Sequence, residues 1–144
     1  MTNSDTVRLL QECDAGAKMA VASIDEILER VSDRNMKELL QESKNHHEKL
    51  KDEICCALSE HGSQEKEPAP VARGMSWIKT NMKMSMDNSD ATVADLITDG
   101  CNMGIKSLHR YLNQYEAADS PSKKLCGKLV SIEEELCRDL RSYL

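Results

Sequence analysis

The sequence predicts an all-α protein, a four-helix bundle made of two antiparallel hairpins joined by a long crossover. Three observations predict it. Apolar residues recur three and four apart through four long stretches, the spacing of a helix with one buried face. No segment alternates apolar and polar residues as a half-buried strand would. The segment from 62 to 90 is far longer than the roughly 2–8 residues that usually join neighbouring bundle helices.

The first helix is expected over 4–31, with Val7, Leu10, Asp14, Ala17, Val21, Ile24, Leu28 and Val31 on one seam and Ser4 or Asp5 as its cap. Ser32-Asp33-Arg34 makes a short turn. The second helix, 35–61, repeats the seam with Met36, Leu40, Ser43, His47, Leu50, Ile54, Ala57 and His61, and Gly62 closes it in left-handed geometry. Two such helices, each about 40 Å long at 1.5 Å per residue, pack as an antiparallel hairpin.

Residues 63–70 (SQEKEPAP) form a polar linker that its two prolines keep from being helical. A shorter amphipathic helix is predicted over 71–86, with Met75, Ile78, Met82 and Met86 on its apolar side beside Trp77. Asp87-Asn88-Ser89-Asp90 interrupts it and offers caps for the next helix, although helix propensity could also carry 71–116 through as one element. Over 91–116, Val93, Ile97, Gly100, Gly104, Leu108, Tyr111 and Tyr115 share a face. After a break at Ala118-Asp119, Ser120 serves as N-cap and Pro121 as first helical residue of a last helix over 121–144. Its seam is Leu125, Leu129, Ile132, Leu136 and Leu140, flanked by Cys126, Val130, Glu133 and Cys137. The crossover lets the 91–116 helix run parallel to the second helix. An up-down-up-down bundle with an extra helix across one end is the alternative.

Composition narrows the function. The chain has 144 residues and reads as one domain over 1–144, 40% hydrophobic and 31% charged. Its net charge of −6 argues against a nucleic-acid partner held by phosphate neutralisation. Without a bilayer-length apolar run or a secretory segment, the expectation is a cytoplasmic protein with no membrane partner. Its six cysteines contain no Cys-x-x-Cys pair, so they are expected as reduced thiols, mostly small buried hydrophobes, and not as a zinc or disulfide framework.

Two long hairpins, Met75-Ser76-Trp77 at the opening of the crossover helix, and the stretch Ile97 to Ile105 with Asn102-Met103-Gly104 resemble a small bacterial family of unknown function with a ferritin-like bundle. The resemblance spans nearly the whole chain. The wider ferritin-like superfamily holds two metal ions with a carboxylate from each of two helices and Glu-x-x-His from each of the other two. This sequence departs from that pattern. Three residues before His46, His47, His61 and His109 stand Ser43, Lys44, Leu58 and Lys106. In the last helix, Glu134 and Glu135 are followed at +3 by Cys137 and Arg138. The resemblance therefore implies the fold and counts against the di-iron chemistry.

Three polar residues fall on predicted seams: Asp14, His47 and Glu133. Buried unpaired charge is costly, so each needs a partner, and together they could hold one divalent cation. Register opposes this, because counting from the turn near residue 33 leaves Asp14 and His47 about 7 Å apart along the axis. A hydrogen-bonded structural network is the plainer reading. Gly100 and Gly104 are expected where a neighbouring helix or the crossover packs closely, with a ligand cavity above the glycines as the functional alternative. Met75, Trp77, Met82 and Met84 form a candidate homodimer surface or core filler. No nucleophile–base arrangement or phosphate loop is present, and no cofactor is expected. The leading expectation is a non-enzymatic bundle acting through self-association or contacts with an unknown protein. The alternative is a divergent ferritin-like metal-binding or redox protein.

Overall fold

A computed structural model describes residues 4–62 and 89–144. Four helices follow in order: α1 (Ser4–Leu28), α2 (Arg34–Glu60), α3 (Asp90–Gln114) and α4 (Ser120–Leu140), with a closing 3-10 turn at Arg141–Tyr143. No strand occurs among the described residues. The helix predicted over 71–86 and its Met75, Trp77, Met82 and Met84 lie outside them.

The caps explain where the helices begin. Asp33 accepts from the Met36 N–H at 2.8 Å and starts α2, while Gly62, at φ 67°, follows its end in the left-handed conformation. Ser89 accepts from the Thr92 N–H at 3.3 Å and starts α3. The cap of α4 is Asp119 and not the expected Ser120. Its carboxylate accepts from the Ser122 N–H at 2.9 Å, so Ser120 becomes the first helical residue, with Pro121 beside it in the first turn. α1 stops at Leu28, short of the predicted residue 31, because the chain turns at Glu29-Arg30. Val31 stays buried in that turn.

α1 packs on α2 and α3 on α4, as two hairpins, and α4 also packs on α2. Side-chain contacts at the two ends set the topology. At one end the Asp90 carboxylate accepts from the backbone N–H groups of Ser32 and Asp33, both at 2.8 Å, which places the start of α3 beside the start of α2. At the other end Thr6 Oγ1 accepts from the Asp119 N–H at 2.8 Å and Asp5 from the Ala117 N–H at 3.1 Å. His61, just past the end of α2, stands 3.7 Å from Asp119 there. α2 and α3 are therefore parallel, and the end of α2 and the start of α3 lie at opposite ends of the bundle, roughly 40 Å apart. This is the crossover topology expected from the length of the segment.

Two apolar clusters fill the core. One holds Ile24, Ile27, Met36, Leu40, Val93, Ile97, Leu136 and Leu140, and the other Leu9, Leu10, Leu50, Ile54, Leu58, Leu108, Cys126 and Leu129. On α2 the seam passes from Leu40 to Leu50 through Ser43 and His47, and on α4 from Leu136 to Leu129 through Glu133. A buried polar layer separates the two halves.

Candidate functional site

His47 is completely buried at the middle of α2, and Glu133, 8% exposed, faces it from α4. The seam spacing that buries Leu40, Leu50 and Ile54 carries His47 inward with them, and Leu129 and Leu136 do the same for Glu133. Nδ1 of His47 donates to the Ser43 carbonyl oxygen at 2.8 Å, and Nε2 lies 3.1 Å from Glu133 Oε1. With Nδ1 donating to a carbonyl, the short contact on the other side holds a proton between imidazole and carboxylate. Burial works against the imidazolium, but the hydrogen bond and charge of Glu133 and the Ser43 carbonyl outweigh it. The His47 pKa is held above its ordinary value.

Asp14 is equally buried but belongs elsewhere. Its partners are the Lys18 ammonium at 2.9 Å and the Cys55 thiol at 3.3 Å. Cys55 stands two turns beyond His47 on α2, so the structure brings His47 and Glu133 together and leaves Asp14 at a different level of the bundle. The register argument anticipated this separation.

Above the pair opens a cleft between α1 and α3 of about 400 Å³. Ala15, Gly16, Ala20 and Ser23 line it on α1, and Gly100, Cys101, Gly104 and Ser107 on α3. His47, Glu133, Leu129 and Leu136 line it from α2 and α4. Small side chains on two facing helices leave the space. The close approach expected at Gly100 and Gly104 is not made by another described helix, and the crossover, the other neighbour expected there, lies outside the described residues. Among the described residues, nothing lies within 4 Å of where a Gly100 Cβ would stand, and a Gly104 Cβ would meet only the Glu133 carboxyl group, at 3.8 Å. These glycines border a cavity, the alternative weighed from the sequence. The contribution of α1 was missed there. Its signal is the run of small residues Ala15, Gly16, Ala20 and Ser23 at helical spacing.

Cys101 also lines this cleft, and the Cys137 thiol of α4 lies against the same turn of α3, 3.8 Å from Asn102 Oδ1. A separate thiol pair, Cys13 with Cys126, lies wholly inside the second apolar cluster. Three cysteines are buried, Cys55 and Cys137 are half-buried, Cys56 is exposed, and all six are free.

The chain matches no family model, and no curated protein matches it by sequence. Its fold is similar to that of the Dps92 protein of Deinococcus radiodurans, with a TM-score of 0.77 over 97% of this chain and 86% of that one, at 16% identity. The likeness shows a ferritin-like helical fold. No helix among the described residues is long and apolar enough to cross a membrane.

The described residues do not fit the two-metal centre known from ferritin-like proteins. Among the described residues, no three His, Cys, Asp or Glu side chains gather as a metal site. One imidazole and one carboxylate face each other, and both ring nitrogens are already engaged, so His47 has no lone pair to offer without breaking a bond it makes.

Proposed function

We propose that this chain is a non-enzymatic ferritin-like bundle that works by binding, taking a small and largely apolar molecule into the cleft between α1 and α3. The cleft carries this reading. Its volume of about 400 Å³ lies within the roughly 300–1,000 Å³ of small-molecule sites, and its lining is mostly apolar with a few convergent polar groups at the base. Glu133, Cys101 and Ser107 supply those groups, and the His47–Glu133 hydrogen bond fixes the carboxylate in place. That bond at Nε2 and the bond from Nδ1 to the Ser43 carbonyl engage both His47 nitrogens, which leaves the imidazole unsuited to act as a free general base.

Self-association, expected from the sequence, stands as a second reading on one observation. Met103 lines the cleft and is 62% exposed, an apolar contact that a second copy could cover.

The neutral apolar dye Nile red tests the binding reading. The full chain is expected to bind it at one site with saturable fluorescence. Ala20→Phe and Ser107→Phe, which place a ring in the cleft from opposite walls, are expected to weaken binding at least tenfold while circular dichroism keeps the helical signal. No saturable binding, or binding by both variants as tight as by the native chain, overturns the reading. Light scattering across a concentration series tests the second reading, and a monomer throughout removes it.

A further inference from the structure

We infer that Cys101 and Cys137 are a reversible dithiol–disulfide site, closed across the α3–α4 seam by hydrogen peroxide. The two residues come from neighbouring helices of one hairpin and share the same apolar cluster. The Cys137 sulfur lies against the α3 turn that carries Cys101, 4.0 Å from the Thr98 carbonyl oxygen and 3.8 Å from Asn102 Oδ1. Forming an S–S bond of about 2.05 Å there joins side chains on two helices that are already packed together.

The two thiols have different roles. The neighbouring Cys101 lowers the Cys137 pKa, with Arg141 helping, against burial and the carboxylates of Glu133 and Glu134. Cys101 is held well above the ordinary value by the neighbouring Cys137, by burial and by Glu133. Cys137 is also the more accessible of the two, half-buried at the edge of the seam. It is the attacking thiolate. Its sulfur takes one oxygen from peroxide to give a sulfenic acid, and hydroxide leaves. The Cys101 thiol then attacks that sulfur, the S–S bond forms, and water departs after taking up the proton. Two thiols and one peroxide give one disulfide and two waters, and a small dithiol returns both thiols.

Cys13 and Cys126 supply an internal contrast. They also share one apolar cluster, yet both are 0% exposed within it. Access separates the two pairs. Cys101 lines the cleft, so closure alters the cleft wall. The inference does not depend on the cleft holding a ligand.

The test uses the full chain in a Cys55→Ser/Cys56→Ser background, which removes the exposed thiol and its neighbour. Brief treatment with equimolar hydrogen peroxide is expected to remove two of the four remaining thiols, measured under denaturing conditions. Non-reduced peptide mapping is expected to join the tryptic peptide ending at Lys106 to the one ending at Arg138. Cys101→Ser is expected to stop at the sulfenic acid, trapped at Cys137 by dimedone, and Cys137→Ser to slow thiol loss at least tenfold. Dithiothreitol is expected to restore all four thiols. A Cys13–Cys126 link in place of this one, an intermolecular link, or four thiols surviving the peroxide each overturn the inference.

Discussion

His47 Nε2 on α2 lies 3.1 Å from Glu133 Oε1 on α4, and this one contact closes the polar layer between the two halves of the core. Removing either partner leaves the other buried without its hydrogen bond. His47→Ala and Glu133→Ala are each expected to lower stability by about 3–5 kcal/mol, read from urea unfolding. The double substitution His47→Leu/Glu133→Met fills the layer with apolar side chains and is expected to lose far less than the sum of the two single losses. Additive losses would show that the pair is not coupled.

The same contact sets a pH dependence. The folded pKa of His47 is raised above its unfolded value of about 6.5, the net result of burial opposed by Glu133 and the Ser43 carbonyl. The stabilisation is therefore fully present below about 6.5 and is lost as pH rises through the folded pKa. Unfolding midpoints of the native chain and of His47→Gln are expected to converge between pH 6 and pH 9. Taking the difference between the two proteins cancels the titration of the thiols. A constant gap across that range would sink the assignment of the proton to this pair.

The fold was legible because it rests on periodicity and on length. Leu40, Leu50, Ile54, Leu129, Leu136 and Leu140 all lie in the core at the seam spacing read from sequence, and the long segment after Gly62 foretold parallel α2 and α3. The polar seam residues were legible individually, since Asp14, His47 and Glu133 are all buried. Their partners were not. A seam position says that a side chain points inward, while the choice of Glu133 over Asp14 as partner of His47 depends on axial register between helices from different hairpins. The glycines are limited in a related way. Small residues at helical spacing say that a surface is low there, while the distance between the helices decides whether a neighbour fills the space or a gap is left. Gly100 and Gly104 face Ala15, Gly16 and Ala20, and the gap results.

Asp90 acts as a clasp on the topology. Its two carboxylate oxygens hold the N–H groups of Ser32 and Asp33 at 2.8 Å each, tying the first residue of α3 to the turn between α1 and α2. Both donors are exposed, so the loss on Asp90→Ala is expected to be about 1–2 kcal/mol. Amide exchange gives the sharper reading. The Ser32 and Asp33 amides are expected to exchange faster in the variant. The Ala117 and Asp119 amides, held by Asp5 and Thr6 at the opposite end, are expected to keep their native rates. Equal acceleration at both ends would mean global destabilisation and no local clasp.

Gly100→Ala is expected to stabilise the protein, the reverse of what close helix packing would give. A methyl group there meets no atom of the described residues within 4 Å, so no described neighbour has to yield. What remains is the helix-interior cost of glycine relative to alanine, about 0.8–1.0 kcal/mol, recovered through the unfolded chain as much as the folded one. Gly104→Ala gains the same backbone term but places its methyl 3.8 Å from the Glu133 carboxyl group, an ordinary contact that shields the carboxylate from the cleft. Its stability gain is therefore expected to match or fall below that of Gly100→Ala. Nile red affinity separates the two positions further. Gly104→Ala crowds the polar base of the cleft and is expected to weaken the dye more than Gly100→Ala. Thermal unfolding with dye titration of the two variants checks both expectations, and a Gly100→Ala protein that melts lower than the native chain would restore the packed-helix reading of that face.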